Sequence, residues 1–324
     1  MNKAFRVERT GGPEVMQLVD ADLPPPSPGQ LRMRHTAVAV NYRDVLVRNG
    51  RHVVPLPSGL GLESAGMVEA IGEGVSGFAV GDRIACVAGP DGAYTQARNV
   101  PAARAVPLPD AIDERTAAAM MVRGMTARYL LKQTYAVQPG DTILVHAAAG
   151  GVGLIMCQWA KRLGATVIGT VGSDEKAEIA RAHGCDHPIV YTRENFAERV
   201  REITEGAGVP VVYDSVGRAT FEGSLKCLRL RGIMASFGES SGEPEPMPPH
   251  RLGYLGSIFL THPSLGNYTA TRGELLETAG DLFAMVASGG IRIAISSTYP
   301  LRDAPQAHAD LEARRTTGSV VLLP

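Results

Sequence analysis

The spacing of apolar residues divides the chain into two regimes. Over the first hundred residues, short runs of β-type composition stand at residues 3–8, 16–19 and 31–40. The turn Gly11-Gly12-Pro13 and the proline-rich run 24–29 separate them. Residues 42–48 have helical spacing and stop at Asn49-Gly50, which predicts one short helix. Residues 59–100 are dense in glycine and alternate apolar with polar positions, the pattern of a β-barrel-like fold with tight corners. A loop at 107–111 and a helical period over 114–137 close this regime.

From residue 142 the period switches back and forth between strand and helix. Strands are expected at 142–146, 165–171, 188–191, 209–214 and 232–237, with helices at 154–162, 173–183, 195–204 and 219–228 between them. This alternation predicts an α/β fold with a doubly wound parallel sheet, whose ligand crevice lies outside the carboxyl ends of the strands. Residues 241–253 read as a proline-rich surface loop, followed by an apolar strand at 256–261 that needs cover along its edge. A helix at 272–288, a strand at 291–299, a helix at 304–314 and a strand at 319–323 complete the pattern. Repeats and low-complexity tracts are absent from the sequence.

The stretch 142–172 carries the chemistry. It reads as strand, glycine turn, helix, strand, with Ala148, Gly150 and Gly153 set against a G-x-G-x-x-G fingerprint. Glycine lets the backbone approach a pyrophosphate, and the helix N-terminus offers unpaired N–H groups and a positive dipole end. Alanine in the first glycine position weakens the bare pattern, but the βαβ context is the one the motif requires. Strand-end residues His146, Val171, Tyr191, Asp214, Ser215, Phe237 and Gly238 are candidates to face a dinucleotide, or are ordinary turn residues. NAD-binding units place an acid at the end of the second strand, and here Val171, Gly172 and Ser173 occupy that place. With Ser173 and Lys176 as donors, NADPH fits better. Asp174 keeps the alternative open, either as that acid displaced or as part of a helix cap with Ser173.

Length and charge narrow the setting. At 324 residues the chain suits two domains, and 44% hydrophobic with 20% charged residues is ordinary for a soluble globular protein. A formal net charge of −1 with scattered cations gives no electrostatic footprint for nucleic acid or an anionic membrane. The sequence opens without a signal peptide and has no run long enough to span a bilayer, which makes a cytoplasmic setting the expectation. Cys86, Cys157, Cys185 and Cys227 show no paired spacing. His183, Cys185 and His187 lie within five positions and read either as half a metal site or as a helix-ending turn around Gly184.

Six motifs, HAAAGGVG, GLGLESAG, NYRDVLVRNG, GVPVVYDSVG, FGESSG and AHADLEARRTTGSVVLLP, resemble the zinc-less, zeta-crystallin-like quinone oxidoreductases of the medium-chain dehydrogenase/reductase superfamily. The resemblance runs over essentially the whole chain. It implies a GroES-like catalytic domain from residues 1–122 and 264–324, a Rossmann NADPH-binding domain from 123–263, and a homodimer built through the Rossmann sheets. In zinc-dependent relatives a Cys and a His-Glu pair hold the catalytic metal. Here Asn41 replaces the Cys, Leu62 precedes Glu63 where the His would be, and the structural-zinc lobe is missing, so no metal ligands are assigned.

The resemblance also assigns roles. It implies Asn41 and Thr126 beside the nicotinamide, Gly150, Gly151, Val152 and Gly153 under the pyrophosphate, and Gly172, Ser173, Lys176 and Tyr191 around the adenosine phosphate. Phe237, Gly238, Ser240 and Ser241 would line the far side of the cofactor, with Arg314 reaching back to it. Asn41, Tyr42, Asp44, His52 and Thr126 are the catalytic candidates, and bland readings stand beside them: Asn41 as helix cap with Asp44 as first-turn carboxylate, and Lys176 as a solvated helix residue. The Asn41 amide can also donate to developing negative charge. A tyrosine frequent in the family is Leu46 here, which leaves Tyr42, His52 or water as proton donor, with His262 a further pocket candidate. The expected activity is an NADPH-dependent quinone reductase that passes hydride or electrons to a small quinone. Alternatives are a reductase of α,β-unsaturated carbonyls or enoyl thioesters, and a cofactor-binding structural or RNA-binding protein.

Overall fold

The computed structural model describes residues 1–87 and 92–324, so part of the glycine-dense stretch, 88–91, lies outside the described residues. In chain order the elements are β1 (Asn2–Val7), β2 (Met16–Ala21), β3 (Gln30–Val40), α1 (Tyr42–Asn49), β4 (Glu63–Ile71), β5 (Arg83–Val87), β6 (Ala97–Pro101), β7 (Ala105–Pro107) and α2 (Glu114–Tyr129). The middle of the chain adds β8 (Thr142–Val145), α3 (Gly151–Arg162), β9 (Thr166–Val171), α4 (Asp174–Ala182), β10 (His187–Val190), α5 (Phe196–Ile203), β11 (Val209–Asp214), α6 (Phe221–Cys227) and β12 (Leu228–Ser236). Then come α7 (His250–Tyr254), β13 (Phe259–Thr261), α8 (Leu265–Tyr268), α9 (Arg272–Ala287), β14 (Ile295–Pro300), α10 (Ala304–Glu312) and β15 (Ser319–Leu323).

These elements form two compact units. The first comprises Met1–Val122, Thr271–Ala287 and Ile293–Pro324, and the second Arg123–Ala270 with Ser288–Arg292.

In the first unit the long strand β3 organises a mostly antiparallel sheet of order β14-β15-β3-β4-β5-β7. Its residues Gln30 to Arg34 pair with β6, while Val38 to Val40 pair with β15, so segments from opposite ends of the sequence meet on one strand. Burial along β3 alternates and then becomes continuous from Ala37, as a strand does when it passes from a half-solvated to a covered position. One apolar core joins Phe5, Val38, Val40, Leu60, Tyr94, Leu301, Val320 and Leu322. A second gathers Leu31, Met33, Ile84 and Val100 at the other end of the sheet.

The second unit is a six-stranded, wholly parallel sheet of order β10-β9-β8-β11-β12-β13. In chain order that is 3-2-1-4-5-6, the doubly wound arrangement, and its switch point falls between β8 and β11. The near-continuous apolar runs of β8, β9 and β11 are buried because helices cover both faces. The glycine turn that leaves β8 for α3 therefore opens at the switch point, where a parallel sheet offers its crevice.

Differences from the periodicity are local. The helical period over 114–137 is α-helix only to Tyr129 and widens into a π-type turn at Leu130–Thr134. β12 starts at Leu228 instead of Gly232, crossing a register shift where Arg231 takes a φ of 58°. The expected strand at 256–261 is shortened to Phe259–Thr261, and the proline-rich loop ends in the short helix α7.

Candidate active site

In the first unit the candidate residues gather at the start of α1. Asn41 is its N-cap position, extended at φ −109°, and its backbone N–H donates to Asp44 Oδ2 at 2.8 Å. That reciprocal half of a capping box turns the chain sharply after β3. The Asn41 side chain takes the other half of the box and also reaches β4: its Nδ2 donates to Glu63 Oε1 at 2.8 Å, and Glu63 Oε2 accepts from the backbone N–H of Val122 at 2.6 Å. Asn41 is buried and Glu63 completely so.

Asp44 lies inside the unit. Its Oδ2 also accepts from the Tyr94 hydroxyl at 3.0 Å, and that hydroxyl meets His308 Nε2 at 2.9 Å. Arg48, 1% exposed, completes the cluster with a two-pronged bond to Glu312 at 2.9 and 2.7 Å and a contact to His308 Nδ1 at 3.4 Å. Burial, aided by the Arg48 charge, lowers the His308 pKa to about 3, which keeps the ring neutral. Asp44 is thus held among Asn41, Tyr94 and α1, where its role is to fix the helix. Tyr42 is half-buried, and His52 is exposed with Nε2 3.2 Å from Arg43. His262 is exposed as well. Arg314, also exposed, sits just past α10 in a left-handed conformation with φ 57°.

In the second unit the glycine turn has the form a diphosphate needs. Gly150 is the N-cap of α3, so the N–H groups of Gly151, Val152 and Gly153 fall in the first turn, where a helix has no carbonyls for them. A Cβ on Gly153 would lie 2.3 Å from the Ala147 carbonyl oxygen, so only glycine lets the helix pack this closely on its turn. Ala148, in the first glycine position of the fingerprint, is fully buried, and its Cβ lies 2.6 Å from where a Cβ on Gly169 would stand. The missing glycine of the turn has a counterpart on β9.

Beneath the turn the strand ends are tied together. His146 Nδ1 lies 2.9 Å from Thr170 Oγ1 and its Nε2 2.8 Å from Ser224 Oγ, which donates to Asp214 Oδ2 at 3.1 Å. Asp214 Oδ1 accepts the N–H groups of Val216 and Gly217. Burial lowers the His146 pKa, opposed by the Asp214 charge. His146 and Asp214, two of the strand-end candidates, are therefore interior struts that join β8, β9, β11 and α6.

Past β9, Ser173 caps α4, its Oγ accepting the Lys176 N–H at 3.3 Å, which leaves the hydroxyl proton to donate outward. Asp174 is exposed in the first turn and is gripped by both guanidinium nitrogens of Arg193 at 2.7 and 2.6 Å. That hydrogen-bonded pairing holds its carboxyl below the ordinary range. The displaced-acid reading of Asp174 gives way to the cap reading, and Arg193 is a cation that periodicity did not single out. The Tyr191 hydroxyl lies 3.0 Å from where a Cβ on Gly172 would stand. Gly238 has similarly little room, 3.0 Å from the Ser215 carbonyl oxygen, and the Phe237 N–H donates to the Asp214 carbonyl. The Ser240 N–H donates to the Ser215 carbonyl, and Ser241 Oγ donates to the Val216 carbonyl at 2.7 Å and accepts from the Ala219 N–H. Both serines therefore hold this loop together. Thr126 is buried on α2 and hydrogen-bonded to Tyr129, whose phenol burial drives far above its usual range.

The His183 cluster is a turn. His183 Nδ1 meets the Ile179 carbonyl at 2.7 Å at the end of α4, Gly184 has φ 93°, Cys185 is buried and His187 is exposed at the start of β10. Among the described residues no three His, Cys, Asp or Glu side chains group in a way that would hold a metal ion. No helix among them is long and apolar enough to cross a membrane.

Comparison with known proteins agrees with this architecture. Residues 27–110 match the alcohol dehydrogenase GroES-like domain and residues 151–279 match a family described as zinc-binding dehydrogenase. The chain is 49% identical to a quinone oxidoreductase of Pseudomonas aeruginosa over all of both chains. It is 46% identical to a 2-haloacrylate reductase of Burkholderia sp, covering 100% of this chain and 99% of that one. Its fold superposes on Escherichia coli quinone oxidoreductase complexed with NADPH with a TM-score of 0.98 and 45% identity, over 99% of this chain and 100% of that one. The chain belongs to the zinc-less, zeta-crystallin-like quinone oxidoreductase branch of the medium-chain dehydrogenase/reductase superfamily.

Proposed function

We propose that this protein is an NADPH-dependent quinone reductase. The observation that carries the reading is the end of β9, where Val171, Gly172 and Ser173 offer no carboxylate and Arg193 neutralises Asp174. It stands on a chain similar from end to end to proteins named quinone oxidoreductase. A 2′-phosphate would meet the Ser173 hydroxyl, the first turn of α4 and Lys176, with Tyr191 over Gly172. The pyrophosphate would lie on the N–H groups of Gly151, Val152 and Gly153. NADPH, when bound, supplies a hydride to an acceptor that is already electrophilic.

The chain's own residues hold and polarise. Asn41 keeps one amide N–H on Glu63 and its oxygen in the capping box, and has its second N–H to donate to negative charge developing on a quinone oxygen. Thr126 lies beside the nicotinamide, and Phe237, Gly238, Ser240 and Ser241 form the far wall of the cofactor site. Arg314 reaches the cofactor from the end of α10. Tyr42, His52 or water returns the proton, and Asp44 serves by fixing α1. The protein works in the cytoplasm as a homodimer that pairs β13 strands, because β13 is a sheet edge with Phe259 60% and Leu260 39% exposed.

The test is NADPH oxidation by purified, chelator-treated protein with 1,4-benzoquinone, followed by loss of the NADPH absorbance and repeated with NADH and with an enone. Turnover with quinone and NADPH supports the reading. Turnover with the enone alone moves the protein to the activated-alkene reductases, which the 46% identity to a 2-haloacrylate reductase makes the second reading. Loss of activity on chelation overturns the zinc-free mechanism.

A further inference from the structure

Glu63 opens β4 with its side chain wholly removed from water. Burying a carboxylate is unfavourable unless its lone pairs are met, and an apolar residue would fill the space without that cost. Both Glu63 oxygens are met, Oε1 by the Asn41 amide at 2.8 Å and Oε2 by the Val122 N–H at 2.6 Å. An ionised carboxylate only accepts hydrogen bonds. The amide edge facing it must therefore be nitrogen, and this sets which way Asn41 points its oxygen and its second N–H. The other contact reaches a second element. Val122 is interior to α2, and Thr126 follows one turn later on the same helix face.

We propose that Glu63 is a positioning residue for hydride transfer. It locks the Asn41 amide in its donating orientation and anchors α2 at Val122, one turn before Thr126. This rests on the reading that Asn41 and Thr126 stand beside the nicotinamide.

The experiment compares Glu63→Gln, Glu63→Asp and Asn41→Ala in single-turnover hydride transfer from NADPH to 1,4-benzoquinone, with NADPH affinity measured alongside. Glutamine keeps the size but exchanges one accepting oxygen for an N–H donor, so it turns the Asn41 amide over. Aspartate loses a methylene but still only accepts. Positioning predicts that Gln slows hydride transfer by about 10- to 100-fold with NADPH affinity changed less than about 3-fold, and that Asp is the faster of the two. A packing role predicts the reverse order, and that order overturns the proposal. Full activity in Asn41→Ala refutes the reading of Asn41 itself. A slow Asn41→Ala beside an unaffected Glu63→Gln refutes Glu63 alone. If the Gln variant does not fold, solvent exchange of the Asn41 side-chain amide in the unaltered protein decides. One slow and one fast proton supports the lock, and two fast protons overturn it.

Discussion

Ala148 and Gly169 exchange roles across the turn that follows β8. The fingerprint glycine has become a buried alanine, and its methyl group, together with the Cys185 sulfur, fills the space where a side chain on Gly169 would stand. Gly169→Ala should therefore overpack the turn, costing about 1–3 kcal/mol and weakening NADPH binding, and adding Ala148→Gly should restore part of both. Urea unfolding and a fluorescence titration with NADPH measure the two effects; an additive double variant would show that the residues do not compensate. Arg193 acts through charge at the exposed surface, so Arg193→Met should leave stability nearly unchanged. With the Asp174 carboxylate released toward the 2′-phosphate, the preference for NADPH over NADH should fall by about 3- to 10-fold, read from the ratio of kcat/KM values. Sequence made some of these residues legible. The glycine turn and Ser173 announce themselves by spacing. Arg193 and Glu63 do not, because each acts through a partner 19 or 22 positions away that only the fold brings near.

At the scale of elements, α1 is fastened from both ends. Asp44 and Asn41 hold its start, and Arg48 in its last turn reaches Glu312 on α10 and the Gly11 carbonyl. Removing one partner of a buried pair leaves the other uncompensated, and Glu312 is partly exposed, so Arg48→Met should cost about 3 kcal/mol. The midpoint of urea unfolding checks this, and a change under about 1 kcal/mol would show that the pair contributes little. The order of strands and helices was largely legible from period alone. The parallel sheet gives long apolar runs, and β3 gives its alternation. Edges were less so: β12 crosses a register shift through Arg229, Leu230 and Arg231, a polar run that looks like a turn. The grouping of Asp44, Arg48, Tyr94 and His308 was not visible, since helix capping and arginine solvation are the ordinary explanations for such residues taken singly.

The whole molecule carries two buried neutral histidines in the first unit, His35 and His308. Burial is the main cause that lowers each to about 3, with nearby arginines adding to it. The unfolded chain takes up these protons near pH 6.5 and the folded chain only near 3. The contribution to stability is therefore whole above about 6.5 and declines as pH falls toward 3, by roughly 1.4 kcal/mol per pH unit for each histidine. Unfolding free energies measured from pH 7 to 5 should fall with pH in this way, and His308→Gln should make that slope shallower. At the sheet edge, Phe259→Lys should halve the mass seen by sedimentation if β13 strands pair between copies. The pairing of Val38, Ala39 and Val40 with Leu322, Val321 and Val320 has a consequence for biosynthesis. Everything in the second unit leaves the ribosome before β15 does, so the parallel sheet has time to fold while β3 still lacks β15 beside Val38 to Val40. Asn41, the next residue after Val40, therefore follows a strand that is covered on this side only when the last strand arrives, so a nascent chain can complete the parallel sheet before it completes the strand that carries Asn41.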